Sequence, residues 1–131
     1  MKQGMDLGRQ ETIEIDVTDD MFASFEGQVV HPVYSTVAMV YHMEWVSRKI
    51  ILPFLEEHEE GMGAAVEVKH VDAAPANSKV TLTATLTKYE HPQVTTSVEA
   101  YNNEQLIGKG EVKQVILPKE LIEQKISPQT S

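Results

Sequence analysis

The stretch that decides the fold is STVAMVYHMEWVSRKIILPFL, residues 35–55, which has the pattern of one long helix. At about 100° per residue, apolar side chains fill two adjacent sectors of this helix. The opposite side carries polar side chains, namely His42, Lys49 and Glu56. Two apolar sectors predict a central helix with little exposed surface, and Pro53 should bend it or end it early.

Glu44 is the exception in that helix, because it stands inside one of the apolar sectors. Its neighbours within roughly 40° around the helix are Val37, Val40, Ile51 and Leu55. A carboxylate is rarely buried without a partner, so Glu44 has either a structural partner or a chemical role. Arg48, four residues later, could form the structural ion pair. The helix by itself leaves both alternatives open.

Five segments show the alternation of apolar and polar residues that is typical of β-strands. One precedes the helix and four follow it, at residues 12–17, 64–70, 80–87, 94–100 and 106–117. A sheet with one apolar face needs a cover, and the apolar helix needs one too, so the simplest packing wraps the sheet around the helix. The predicted fold class is therefore α+β, with an antiparallel five-stranded sheet around one long central helix. We expect a single domain over residues 1–131, with frayed ends at 1–10 and 127–131.

Two connecting segments and the last strand lead to further predictions. Residues 18–34 show no sustained period and contain Phe22 and Phe25. They could form a short helix and a loop that act as a lid over a site, or merely a connection. The glycines of residues 59–63 predict a loop between the helix and the next strand, while Gly108 and Gly110 predict a bulge or a close backbone approach in the last strand.

Composition excludes several classes of function. The formal charge of -9, from 20 acidic and 11 basic residues, argues against nucleic acid or an anionic membrane as the main partner. The chain has no cysteine, which rules out disulfides, thiolate nucleophiles and Cys-ligated zinc. We expect no metal, because the histidines lack the spacing of a helical zinc site. No segment has the pattern of a signal peptide or a membrane span, so the expected location is cytoplasmic.

His70 is the one histidine that we expect to face the helix, because it alternates in phase with Val66 and Val68. It could then converge with Glu44 on the interior surface. The alternative for His70 taken alone is a core histidine that is hydrogen-bonded to the backbone.

Three motifs together resemble a known family. They are STVAMVYHMEW at residues 35–45, GMG at 61–63 and VKHVDAAP at 68–75, and they resemble the hot-dog-fold thioesterases of the fluoroacetyl-CoA thioesterase type. The resemblance extends from the first strand to about residue 117. In that family a threonine at the start of the central helix, a glutamate eight residues on and a histidine on the next strand form the catalytic set. The matching positions are Thr36, Glu44 and His70.

The resemblance implies hydrolysis of a short or small acyl-CoA, with CoA as part of the substrate and no separate cofactor. Glu44 would attack the thioester directly or act as base on water, and His70 would act as general acid and base. Thr36 would orient a reacting group, and backbone N–H groups around Gly63 would stabilise the oxyanion. The identity of the nucleophile stays open.

The family also joins two sheets edge to edge, which implies a homodimer or higher homo-oligomer with the acyl-CoA tunnel between subunits. An edge strand that is left uncovered also favours association with a second copy.

One departure limits what the resemblance implies. The fluoroacetyl-specific enzyme gates its pocket with phenylalanines just before the threonine, whereas this chain has GQVVHPVY at residues 27–34. Fluoroacetyl selectivity is therefore not expected. Phe22 and Phe25, farther upstream, and Tyr34 are candidate substrate-binding residues. The remaining alternative is a non-catalytic protein of the same fold that binds acyl-CoA or another small ligand.

Overall fold

The computed structural model describes residues 1–128, which form seven strands and two helices. In chain order these are β1 (Gln10–Asp16), β2 (Phe22–Phe25), β3 (Gln28–Tyr34), α1 (Thr36–Ile51), β4 (Glu59–His70), β5 (Lys79–Glu90), β6 (Gln93–Asn102), β7 (Gln105–Pro118) and α2 (Lys119–Ile126). Two short 3-10 turns lie at Asp19–Met21 and Leu52–Phe54. None of the helices among these residues is long and apolar enough to cross a membrane.

The main sheet has five antiparallel strands in the order β1-β5-β6-β7-β4, and α1 lies across its inner face. The alternation that predicted these strands also determines which of their side chains pack in the core. In β5 the inward residues Val80, Leu82, Ala84 and Leu86 are at most 1% exposed, while the intervening threonines face outwards. The predicted five strands and single central helix are confirmed. Strands β1 and β4 form the two edges of the sheet.

Helix α1 begins and ends where its sequence predicts. The Ser35 hydroxyl accepts a hydrogen bond from the Ala38 N–H at 3.0 Å and caps the first turn. Pro53 ends the α-helix and lies in the 3-10 turn that follows Ile51. The predicted close approach at the β7 glycines is confirmed, because a Cβ on Gly108 or Gly110 would collide with the sulfur of Met39 or Met43.

The prediction that α1 has little exposed surface is wrong. Val37 is 75% exposed and Glu44 lies on the same exposed side, because the sheet does not cover this sector in the first half of α1, whereas Ile51 at the end of the same sector is fully buried. The placement of His42 on a polar side is also wrong, because its side chain is only 5% exposed. A helical wheel gives the relative angles of side chains but does not say which sector meets the sheet.

Within residues 18–34, Asp19–Met21 form a 3-10 turn and the two strands that follow form a β-hairpin. The sequence left a short helix with a loop and a plain connection as alternatives, and it did not predict the two strands. Strands β2 and β3 pair antiparallel across a turn at Glu26 and Gly27, which both have positive φ. The pairing shifts register between Phe22 and Ala23 and again before Ser24. Such shifts break the two-residue period, which is why alternation did not predict these strands.

Three other expectations need correction. Residues 1–10 are not frayed, since Met5 is buried, the Lys2 N–H bonds the Phe54 carbonyl at 2.6 Å and the Arg9 guanidinium lies 4.9 Å from the Phe54 ring. Residues 59–63 belong to β4 and pair with β7, rather than forming a loop. Helix α2 was not predicted. Of the expected frayed segment 127–131, Ser127 closes α2 through a backbone bond to Glu123, and residues 129–131 lie outside the described part.

Candidate active site

Thr36 and His70 meet at one end of the helix. Thr36 is the first residue of α1 and His70 is the last residue of β4, and Thr36 Oγ1 lies 2.9 Å from His70 Nδ1. His70 is half-buried on the inner face of β4, where the alternation with Val66 and Val68 places it. The hydrogen bond fixes the ring, so Nε2 is the nitrogen left to exchange a proton.

Glu44 stands apart from this pair within the chain. It lies eight residues after Thr36, which is about 12 Å along the helix axis. Its exposed carboxylate lines a pocket of about 240 Å³ between α1 and the inner face of β4 and β7. The lining residues include Tyr41, Trp45, Gly63 and Gln114. A single chain therefore does not bring the three predicted catalytic side chains into one cluster.

The proposed structural partner of Glu44 binds elsewhere. Arg48 Nη2 lies 2.7 Å from Glu60 Oε1, and this guanidinium holds the pKa of Glu60 below its usual value. Among residues 1–128 no ion pair joins Arg48 to Glu44, so of the two alternatives left open by the sequence the i,i+4 pair is not formed. Arg48, the side chain that could have paired with Glu44, is thus already paired with Glu60.

Gly63 lies directly beside Glu44. A Cβ built on Gly63 would come within 3.9 Å of Glu44 Oε1, and the β4–β7 pairing shifts register between Gly63 and Ala65. The bulge leaves Ala64 without a partner on β7 and turns both Gly63 and Val66 towards the helix. The strand thus places a residue without a side chain next to the Glu44 carboxylate, which leaves the backbone of Gly63 accessible there.

A larger cavity of about 610 Å³ lies between the β2–β3 hairpin and the first half of α1. Thr36 opens on it, and Phe22 and Phe25, two of the predicted substrate-binding residues, are part of its lining. Tyr34 does not line the cavity; its side chain is fully buried behind it.

Tyr34 and His42 form a buried pair that the sequence did not reveal. The Tyr34 hydroxyl lies 2.7 Å from His42 Nδ1, and the two rings stack with centroids 5.7 Å apart. Burial raises the pKa of Tyr34 and lowers the pKa of His42, and the Asp20 carboxylate opposes part of the histidine shift. Both groups are therefore neutral at pH 7. No spacing rule links a tyrosine in a hairpin to a histidine two helical turns later.

A second buried polar cluster lies behind the Glu44 pocket and was also missed. The Thr96 hydroxyl lies 2.7 Å from the Ser47 hydroxyl, and Gln114 Nε2 donates to the Ser47 carbonyl at 3.1 Å. These bonds tie the middle of α1 to β6 and β7. Within residues 1–128, no three histidine, aspartate or glutamate side chains are grouped so that they could hold a metal ion.

Comparison with known proteins identifies the class. A protein of Thermus thermophilus, TTHA0967, described as a thioesterase superfamily member, is 45% identical, and the match covers 94% of this chain and 91% of that chain with a TM-score of 0.91. A hot-dog-like protein from Thermanaerovibrio acidaminovorans is 21% identical over 92% of this chain and 89% of that one, with a TM-score of 0.85, and so shares the fold. The chain is a hot-dog-fold thioesterase.

The family can also be stated. The family model of the fluoroacetyl-CoA-specific thioesterase matches residues 17–120, and the chain belongs to this family. The fluoroacetyl-CoA thioesterase of Streptantibioticus cattleyicolor is 29% identical over 99% of this chain and 98% of that protein. The predicted family, hot-dog fold and acyl-CoA thioesterase activity are confirmed. Nothing in these relatives supports a non-catalytic binding protein.

Proposed function

We propose that the protein hydrolyses a short or small acyl-CoA at a site that two copies of the chain complete together. One copy supplies Thr36 and His70, and the other supplies Glu44 and Gly63. The observation that carries this proposal is the separation of about 12 Å between Thr36 and Glu44 along one helix. Side chains that far apart cannot act on the same carbonyl carbon, so a second copy must close the gap.

The surface beside β4 supports such an assembly. β4 is an edge strand, and the exposed side of α1 next to it carries Val37, Tyr41 and Trp45 at 75%, 65% and 44% exposure. An open strand edge beside a group of exposed apolar side chains favours pairing with a further strand. A second copy, joined edge to edge through β4, would continue the sheet and cover these side chains.

Several registers keep the phase of β4, and we choose the one that brings His70 of one copy next to Gly63, and hence Glu44, of the other. Residues that lie opposite each other in an antiparallel pair face the same side of the sheet. A two-fold axis at Glu67 places Val66 opposite Val68 of the second copy and, because the bulge at Ala64 takes up one residue, Gly63 opposite His70. All four of these side-chain positions face the helix, so this register brings the Thr36–His70 pair of one copy to Glu44 of the other.

The chemistry then assigns a role to each residue. Glu44 either removes a proton from a water that attacks the thioester carbon, or attacks that carbon itself to give a mixed anhydride that water hydrolyses. The C–S bond breaks, and His70 Nε2 gives its proton to the departing CoA thiolate. Thr36 holds the imidazole in position, and the backbone N–H beside Gly63 stabilises the oxyanion. The products are the free acid and CoA, with no further cofactor.

The remaining assignments follow from the surroundings of the site. The cavity beneath the β2–β3 hairpin receives the acyl group, and Phe22 and Phe25 act as its lid. Because the formal charge is -9, the CoA phosphates require a local group of lysine or arginine side chains. A chain without cysteine suits a reducing compartment, and we place the protein in the cytoplasm.

The test is a panel of acyl-CoAs of increasing length, with release of CoA followed by a thiol reagent. Because the chain has no cysteine, the reagent reports free CoA alone. We expect turnover that scales with enzyme concentration and is fastest for short or small acyl groups. A panel on which only long acyl chains are cleaved would overturn the proposed substrate class.

A further inference from the structure

His42 is a buried side chain with one nitrogen left unpaired. It lies on the inner side of α1 among Met39, Met43 and Val46, and it is only 5% exposed. Burying an imidazole in apolar surroundings is unfavourable unless its nitrogens find partners. Nδ1 has the Tyr34 hydroxyl at 2.7 Å, but Nε2 has no hydrogen-bond partner within residues 1–128. Nε2 is nevertheless accessible from the cavity. Among the described side chains, Asn102 Oδ1 is the one polar atom that is both fully buried and unpaired, so the unpaired Nε2 of His42 is not fully buried. His42 also lines the 610 Å³ cavity.

Tyr34 decides which nitrogen of His42 carries the proton. Burial keeps the phenol protonated and the imidazole neutral. The Tyr34 side chain is fully buried and its hydroxyl has no hydrogen-bond partner other than His42 within residues 1–128, so its O–H is satisfied only when it donates to Nδ1. The single ring proton must then lie on Nε2. Since the stacked rings are within 13° of parallel, the imidazole is also held in orientation. The pair thus presents a fixed N–H donor to the cavity.

The cavity around that donor is mostly apolar and has no cation. Among the described residues its lining includes Met21, Phe22, Phe25 and Ala38 but no lysine or arginine, and its one charged group is Asp20. An acyl carboxylate would therefore meet a negative charge without compensation. A neutral oxygen, such as a hydroxyl or a ketone, could accept from His42 without that penalty.

We propose that His42 donates a hydrogen bond to the acyl group, and that the preferred substrates carry a neutral oxygen beyond the thioester carbonyl. This inference rests on the proposed function, in which the acyl group occupies the cavity beside Thr36. Six residues separate Thr36 from His42, a rise of about 9 Å, so the oxygen should lie about three to six bonds from the carbonyl carbon. The inference assigns Tyr34 as a positioning residue that acts through His42.

The experiment compares matched acyl-CoAs on the same enzyme preparation. The pairs are pentanoyl-CoA with 4-oxopentanoyl-CoA and hexanoyl-CoA with 6-hydroxyhexanoyl-CoA, and glutaryl-CoA supplies a carboxylate. The quantity measured is the ratio of kcat/KM for the oxygen-bearing substrate to that for its plain counterpart. A partial loss of folded enzyme cancels in this ratio. We expect wild type to favour at least one oxygen-bearing substrate by about tenfold or more, the usual effect of one well-placed hydrogen bond, and to disfavour glutaryl-CoA.

Three variants and a control make the test specific. His42→Leu should lower the ratio to near one, whereas His42→Gln keeps an N–H near the position of Nε2 and should restore part of the preference. Tyr34→Phe should lower the ratio by a smaller factor, because the ring can then carry its proton on either nitrogen. The control is Tyr101→Phe, which removes an exposed hydroxyl that donates to Glu99 and should leave the ratio unchanged.

The outcomes that would overturn the inference are distinguishable from those that would overturn the proposed function. If wild type hydrolyses the plain acyl-CoAs and shows no preference for an oxygen, the inference is wrong while the proposed function stands. An unchanged ratio in His42→Leu leads to the same conclusion. If wild type hydrolyses none of these substrates but cleaves shorter acyl-CoAs of the length series, the inference alone fails. If no acyl-CoA of either set is hydrolysed, the proposed function fails as well.

Discussion

Thr36 Oγ1 and His70 Nδ1 lie 2.9 Å apart, and this hydrogen bond joins the first residue of α1 to the last residue of β4. Both positions are fixed by well-formed elements, since Ser35 caps the helix and β7 pairs with β4 as far as His70. The imidazole is thus oriented before any substrate binds, as general acid catalysis requires. Within residues 1–128 Glu44 has no comparable hydrogen-bond or ion-pair partner, and a second copy of the chain would remove this asymmetry.

The first prediction concerns the side chains with proposed catalytic roles. Glu44→Gln and His70→Ala should each lower kcat by at least about 10²-fold, the range expected for loss of an acid or base. Thr36→Val should lower kcat less, because it removes only the bond that orients His70. Steady-state kinetics and far-UV circular dichroism together would check this. Near-wild-type turnover in any one variant would remove that residue from the mechanism.

The second prediction concerns assembly. At micromolar concentration the protein should sediment at about twice 14.7 kDa or more, since β4 and the exposed side of α1 would be covered by a second copy. Glu67→Cys should link two copies through a disulfide or a short bifunctional thiol reagent, because a two-fold axis at Glu67 places this residue opposite itself. Thr12→Cys on the far edge strand is the control and should not cross-link. A monomer would contradict the shared site.

The third prediction concerns the Arg48–Glu60 pair. Its two side chains are 39% and 35% exposed, so Arg48→Ala should lower the free energy of unfolding by no more than about 1 kcal/mol. Because Arg48 lowers the pKa of Glu60 in the folded state, the pair stabilises the fold above the carboxyl's unfolded pKa. That contribution is lost as the pH falls through the lower, folded pKa.

Denaturant unfolding of wild type and Arg48→Ala from pH 7 to pH 3 would measure this difference. We expect the two proteins to converge in acid. Lys113→Ala is the matched control, since it removes an exposed 3.9 Å pair with Glu111 on the outer face of the sheet and should change stability little at any pH. If the difference in free energy of unfolding between wild type and Arg48→Ala grew in acid, the stabilising role of the Arg48–Glu60 pair would be contradicted.

The fourth prediction concerns the CoA phosphates. Added salt should raise KM for acyl-CoA while kcat changes little, because screening weakens exposed charge pairs much more than contacts deep in a site. An acyl-pantetheine, which lacks the nucleotide, should have a high KM at every salt concentration. If salt leaves KM for acyl-CoA unchanged, or if both substrates are used equally well, CoA is not the carrier that the protein recognises.

Much of the fold follows from the period of the apolar residues. Alternation predicted all five strands of the sheet, and the phase that His70 shares with Val66 and Val68 predicted that it faces the helix. Pro53 predicted the end of α1. These features are local consequences of residue type, so a single sequence contains them.

The features that were missed depend on contacts between distant segments. The hairpin at Phe22–Phe25 and Gln28–Tyr34 was missed because its register shifts disturb the alternation. His42 was placed on the polar side because only the structure shows that Tyr34 satisfies its polar ring. The exposure of Glu44 was missed for a different reason, since a helix pattern cannot distinguish an apolar surface that meets the sheet from one that the sheet leaves exposed.

The most direct test of the account mixes two inactive variants. Glu44→Gln leaves Thr36 and His70 intact in its own copy, and His70→Ala leaves Glu44 intact, so a mixed dimer contains one complete site only if the site is shared. Coexpression in equal amounts should form mixed dimers as half of the population and restore about a quarter of the wild-type turnover. The double variant Glu44→Gln/His70→Ala coexpressed with wild type is the control. Turnover of the mixture no higher than that of either single variant would contradict a site built from Glu44 of one copy and His70 of the other.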